Sequence, residues 1–201
     1  SLILVMSGTK ISLSEKNKRF MITLYQYPHK ALTEISTPFD FKNDNIDGYD
    51  DIEKFENDMI NLMITARGMG LAANQIGITK RFFAFGHQSF DKLQKSVIIW
   101  NPSIVRESDE RTVDEEGCLS FLGIFVKIVR PRQVTVRWQN KKGEILMQHL
   151  DNMESKCFQH EFDHMLGKLY LEYASDYMIR NARKKQRLWQ RKRNHNGSKN
   201  V

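Results

Sequence analysis

Two helical patterns enclose a run of short alternating segments. Ile52, Phe55, Met59, Met63 and Ala66 recur at the three- and four-residue spacing that puts apolar side chains on one face of a helix. Asp50-Asp51-Ile52-Glu53 ahead of them offers an N-cap with an acid three residues on, and Gly68 is the expected stop. β-rich pieces follow at 81–85, 97–100 and 125–129. Val134, Val136 and Trp138 then alternate with Thr135, Arg137 and Gln139, and Lys141-Lys142-Gly143 reads as a turn into a strand over 145–150. A second helix is predicted over 154–166, ended by Gly167, with Phe158, Phe162 and Met165 on one face and His160 and His164 on another. A helix, several mostly antiparallel strands and a buried helix predict an α+β domain rather than alternating parallel units.

Composition narrows the class. At 201 residues, 40% hydrophobic and 27% charged, the chain has enough apolar material for one ordinary globular domain. No apolar run approaches the roughly 20 residues of a membrane-spanning helix. Leu2 to Met6 is apolar but short, with no basic segment before it and no small-residue cleavage site after it, so the protein is expected to work in the cytoplasm where it is made. Two cysteines, Cys118 and Cys157, fit a reducing compartment. The net charge of +7 is uneven: from Asp176 onward nine Lys or Arg face one acid, which leaves the preceding body near neutral. The expected organisation is an N-terminal extension over 1–20, a domain over 21–175 and a basic tail over 176–201. Over 177–193 that tail is either a further helix or a solvated charged segment. Its functional reading is electrostatic attachment to RNA, with Trp189 available for stacking.

The candidate chemistry lies in three segments. In His160-Glu161-Phe162-Asp163-His164 two histidines four residues apart project one turn apart from a helix, so both imidazoles can reach one cation while Glu161 sits beside a metal-bound water. Flanking Cys157, Phe158, Met165 and Leu166 bury that helix, and a buried polar cluster without a partner is costly. Cys118, in Glu116-Gly117-Cys118-Leu119-Ser120, is the candidate third ligand because sulfur suits borderline-soft cations, whereas Cys157 reads as lining the site. Asp114, Glu115 and Glu116 point to a loop before it. Three protein ligands leave one coordination position for water, which marks a catalytic site. The third segment, Gly68-Met69-Gly70-Leu71-Ala72-Ala73-Asn74-Gln75, lets a backbone come close to another chain segment or an extended peptide, and it lacks the patterns of nucleotide loops.

Together and in this order, Gly68 to Gln75, Glu116 to Ser120 and His160 to His164 resemble the three signature motifs of the peptide deformylases, and the resemblance spans roughly residues 22–175. It implies an α+β deformylase fold with antiparallel sheets around a central metal-binding helix. The implied activity is hydrolysis of the formyl group from the N-terminal methionine of nascent N-formylmethionyl peptides. The implied metal ligands are Cys118, His160 and His164, holding Fe2+ in the cell or alternatively Zn2+. Glu161 would be general base and then acid, and the Gln75 amide and the Leu119 N–H would hold the oxyanion. Met69, Gly70, Leu119 and Cys157 would bind substrate, with the peptide added as a strand beside Gly70. Glu116 and Arg132 match a pair that braces the cysteine segment. A C-terminal helix docks some members on the ribosome, which makes ribosomal RNA the expected partner of the tail.

Two positions depart from the pattern. Leu122 stands where many members carry Pro, and Lys156, close to the metal helix, is expected to extend to solvent. A zinc peptidase and a catalytically silent RNA- or ribosome-binding protein are the competing classes. The cysteine and glycine motifs disfavour the first, and the full set of catalytic positions disfavours the second.

Overall fold

A computed structural model describes residues 22–197, with side chains described up to residue 191. The N-terminal extension expected over 1–20 lies outside the described residues. Helix α1 spans Ile52–Thr65, capped by the Asp51 carboxylate, which accepts from the Glu53 N–H at 2.8 Å. It buries Phe55, Met59, Leu62 and Met63. The closing bond runs from the Gly68 N–H to the Met63 carbonyl, but the left-handed residue that makes it is Arg67, at φ 60°.

The strands are β1 (Gly70–Ala72), β2 (Phe82–Phe85), β3 (Val97–Glu107), β4 (Arg111–Cys118), β5 (Phe121–Pro131), β6 (Gln133–Gln139) and β7 (Ile145–Asp151). Helices α2 (Asn152–Met165) and α3 (Asp176–Gly197) follow. Five strands form one antiparallel sheet in the order β1-β2-β3-β6-β7, and β4 pairs with β5 as a separate antiparallel hairpin. The segment containing Asp114, Glu115 and Glu116, expected as a loop, is therefore strand: Glu115 faces outward on a two-stranded ribbon, where charge costs little, while Glu116 turns inward.

The strand period of two decides the layering. Phe82 and Ala84 of β2, with Ile98 and Trp100 of β3, pack against Phe55, Met59 and Met63 of α1. Phe83 and Phe85, with Ile99, point the opposite way and pack with Phe158 and Met165 of α2. The β1–β2 side of the large sheet and the start of β3 are thus buried on both faces, which explains why these strands read as unbroken apolar runs, whereas β7 is largely exposed. The mixed α+β architecture, with α2 at its centre, is the one expected. Ser155 Oγ and Gln159 Nε2 tie α2 to the Pro131 carbonyl at 3.2 and 3.0 Å, bringing the end of β5 alongside it. A third apolar cluster joins Phe121, Ile124, Val126 and Ile128 of β5 to Leu169, Tyr170 and Ala182 of α3. The basic tail is thus a helix docked on the hairpin as far as residue 191, not a solvated segment.

Candidate active site and metal centre

Helix α2 presents His160 and His164 on adjacent turns, and the β4–β5 hairpin brings Cys118 over them. One donor atom from each of the three lies within 4.8 Å of the others. Cys118 Sγ is 3.3 Å from His164 Nε2. Cys118 sits where the hairpin register shifts between Gly117 and Cys118, so the sulfur leaves the regular ladder and turns to the helix. Gly117 permits this because an added Cβ would strike the Phe125 ring, at 2.7 Å from Cδ1.

The donor set fits a divalent cation on three counts. It combines one sulfur and two imidazoles, the ligands of zinc and of iron. Glu161 is buried beside it, with Oε2 lacking any protein partner among the described residues. Burial also pushes His164 well below its ordinary pKa, giving the neutral imidazole a metal needs. Burial would depress His160 too, but hydrogen bonds with Cys118 and Glu116 hold it up to about 10.

A carboxylate network orients the ligands. His160 Nδ1 meets Glu116 Oε2 at 3.0 Å, which leaves Nε2 for a cation. Arg130 grips Glu116 through Nε at 2.5 Å and Nη2 at 3.0 Å, and reaches Asp163 Oδ2 through Nη1 at 2.8 Å. Burial would raise the Glu116 pKa, but hydrogen bonds from His160 and Arg130 more than offset it and bring it down to about 2. The brace expected from Arg132 is therefore formed by Arg130. Arg132 instead pairs with Glu110 and Asp151 at 2.8 and 3.3 Å, well away from the cysteine. The reason is where the strand ends: Val126, Ile128 and Arg130 share the buried face of β5, while Arg132 follows Pro131, past the end of β5 and ahead of β6, and has left that ladder. Alternation alone would put both arginines on that face, so the only sequence signal that separates them is Pro131, which ends the strand between them.

The glycine segment completes the site. Gly70 begins β1, an edge strand paired only with β2 among the described residues. A Cβ at Gly70 would collide with Glu161, lying 2.5 Å from its Cγ, so the absence of a side chain is what lets the carboxylate reach the cleft. Gln75 is held at both ends: Oε1 accepts from the Ala72 N–H at 2.8 Å, while Nε2 donates to Ser120 Oγ at 3.0 Å and faces Cys118 Sγ at 3.4 Å. Burial pushes the Glu161 carboxyl up to about 7, against the opposing pull of His160. Asn74 Nδ2, which sequence reasoning did not single out, donates to the His164 carbonyl at 2.6 Å and fastens the end of α2 to this segment.

Met69, Gly70, Gln75, Glu116, Cys118, Leu119, Cys157, His160 and Glu161 all line one cleft of about 330 Å³, with His164 buried beneath it. Lys156, expected at the solvent, is on the same wall. So is Trp189 of α3, which the sequence had suggested for RNA stacking. No helix among the described residues is long and apolar enough to cross a membrane.

Fold and site define a metal-dependent hydrolase in which a Cys-His-His donor set stands beside a buried glutamate. The sequence pattern of the family described as polypeptide deformylase matches residues 21–179, and the chain belongs to that family. Its activity is removal of the formyl group from N-terminal methionine, so the chain is an amide hydrolase acting on nascent formylated peptides. The peptide deformylase of Bartonella henselae is 36% identical over 162 residues, covering 79% of this chain and 89% of its own length. The crystal structure of the Thermotoga maritima peptide deformylase superposes with a TM-score of 0.68 at 34% identity, over 78% of this chain and 99% of that one. That of the Legionella pneumophila enzyme gives 0.72 at 32%, over 85% and 96%.

Proposed function

We propose that the chain carries out deformylation with Glu161 as the proton carrier, Gln75 and Leu119 as oxyanion donors, and Met69, Gly70, Leu119 and Cys157 as the substrate-binding set. The observation that carries this reading is the convergence of Glu161, Gln75 and the Cys118, His160 and His164 donors at the free edge of β1. A divalent cation held by those three donors supplies Lewis acidity and acidifies bound water; we propose Fe2+ in the cell, with Zn2+ the second candidate. The catalytic unit is assigned to residues 21–175, working in the cytoplasm where formylated chains are made.

The residues divide the work as follows. An extended peptide adds to the free edge of β1 through main-chain hydrogen bonds beside Gly70, which sets the formyl carbon near Glu161. Glu161, with a pKa raised towards neutrality, accepts a proton from the attacking water and returns it to the methionine nitrogen as the C–N bond breaks, releasing formate. Because the Ala72 N–H fixes Gln75 Oε1, the amide keeps Nε2 on the Ser120 and Cys118 side, where the N–H now facing Cys118 would be given to the developing negative oxygen alongside the Leu119 N–H. Arg130 and Glu116 keep His160 in the required tautomer.

Metal-loaded protein incubated with formyl-Met-Ala, alongside unformylated Met-Ala, tests the reading. Formate from the first and no cleavage of the second is expected; peptide-bond cleavage would establish a peptidase, and no reaction would sink the assignment. Elemental analysis after anaerobic purification decides between iron and zinc. We further propose that the outward basic face of α3, where Arg183, Lys184, Lys185, Arg187 and Arg191 are exposed, contacts ribosomal RNA. Reversing Arg183, Lys184 and Arg187 to Glu should abolish co-sedimentation with ribosomes at low salt, and unchanged co-sedimentation would refute it.

A further inference from the structure

Helix α3 does more than carry charge, because its inward face reaches the substrate cleft. Met178, Ala182, Gln186 and Trp189 are the buried or half-buried positions of one helical stripe. Ala182 packs in the cluster with Phe121, Ile124 and Tyr170, beside the turn end of the hairpin. One turn on, Gln186 Nε2 donates to the Leu122 carbonyl. A turn further, the Trp189 ring lies against Gly123: a Cβ there would sit 3.6 Å from Cε3 and 3.7 Å from Cζ3, and 3.5 Å from Gln186 Cγ. Gly123 is itself left-handed, at φ 71°, which shapes the hairpin tip into a shelf for the indole. Leu122, which replaces the proline of many family members, is thus held by α3 where a ring would otherwise fix the turn.

Trp189 borders the same cleft as Gly70, Glu161 and Cys118. An extended peptide turns successive side chains to opposite faces. The cleft is lined by Met69 and Cys157, which the reading above gives to methionine, and also by Leu122, Gly123 and Trp189, which are left to receive a side chain of the opposite face. A half-buried indole offers a wide, rigid apolar surface that gains from large apolar or aromatic neighbours and little from a glycine.

We propose that Trp189 is a specificity-determining wall of the substrate cleft, contacting the side chain that follows methionine and favouring large apolar ones. This rests on the deformylase reading above. The test measures kcat and KM for formyl-Met-Xaa-Ala with Xaa as Gly, Leu or Phe. The unaltered protein should prefer Leu and Phe over Gly. Trp189→Ala should lower kcat/KM for Leu and Phe about tenfold and for Gly less than twofold, with the loss falling on KM because the contact is present before and during reaction. Trp189→Phe should restore most of the preference, which a purely structural role would not. If Trp189→Ala does not fold, Trp189→Leu takes its place, with the same direction and a smaller effect on Phe. Equal losses across the three peptides, or an unchanged ranking, would overturn the proposal. Absence of formate from formyl-Met-Gly-Ala with the unaltered protein would instead mark failure of the deformylase reading.

Discussion

Replacing Arg130 should be far more damaging than replacing Arg132, although the two stand two residues apart with the same chemistry. The Arg130 side chain is 6% exposed and serves Glu116 and Asp163, which are 3% and 11% exposed. Arg130→Met leaves two carboxylates in the interior without their counter-charge, and breaking a buried pair in this way costs about 3–5 kcal/mol. For a chain of this length each kcal/mol shifts the melting temperature by about 2–4 °C, so a fall of roughly 6–20 °C is expected. Arg132 is 37% exposed and faces Glu110 and Asp151 in contact with water. Arg132→Met should cost about 0–1 kcal/mol, a shift of no more than about 4 °C. Urea and thermal unfolding should be followed at one fixed metal concentration, since bound metal itself stabilises the folded state. A double-mutant cycle adds a second measure: Glu116→Gln with Arg130→Met should show a coupling of about 0.5–3 kcal/mol, and Glu116→Gln with Arg132→Met should be additive. Equal losses from the two arginine replacements, or coupling of Glu116 to Arg132, would refute the assignment of Arg130 as the brace.

Gln75→Ala should lower turnover about 100- to 1000-fold with little change in metal content, measured by formate release and elemental analysis; a loss under tenfold would exclude an oxyanion role. Gly70→Ala, whose methyl would displace Glu161, should reduce kcat by more than it reduces stability, and a variant with full activity would show that the carboxylate position is unimportant. Glu116 has its pKa lowered from 4.5 to about 2 in the folded protein, so its contribution to stability is complete above pH 4.5 and is lost as pH falls towards 2. The stability gap between the unaltered protein and Glu116→Gln should therefore narrow over that interval in urea titrations, and a gap independent of pH would contradict the depressed pKa. Chelation should abolish formate release and lower the melting temperature, with both restored by Fe2+ or Zn2+; the Cys118→Ser variant should show weaker restoration.

The helices were legible because their period survives any packing. Phe55, Met59 and Met63, and likewise Phe158 and Met165, declare a buried face wherever the helix is placed. The candidate metal ligands on α2 were legible for the same reason, since a four-residue interval fixes two imidazoles on one side of a helix. Strand boundaries were less visible. β1 has three residues and no room for a period, and β4 carries acids on a ribbon exposed to water, so composition pointed to a loop.

Pairings across the fold required the tertiary structure. Choosing Arg130 over Arg132 depends on where β5 ends: Arg130 lies on its buried face, whereas Arg132 lies past Pro131, between β5 and β6, and pairs with Glu110 and Asp151. Trp189 is sixty-six positions from Gly123, and only the docking of α3 on the hairpin turns it from an apparent RNA contact into a wall of the cleft. The sequence by itself determined the helix-borne ligands, the candidate cysteine and the chemistry these residue types allow, because those follow from composition and local spacing. The tertiary structure decided which distant side chains share the low-dielectric interior with them. Burial and pairing there set the charge of Glu116, the proton affinity of Glu161 and the surface that lines the cleft.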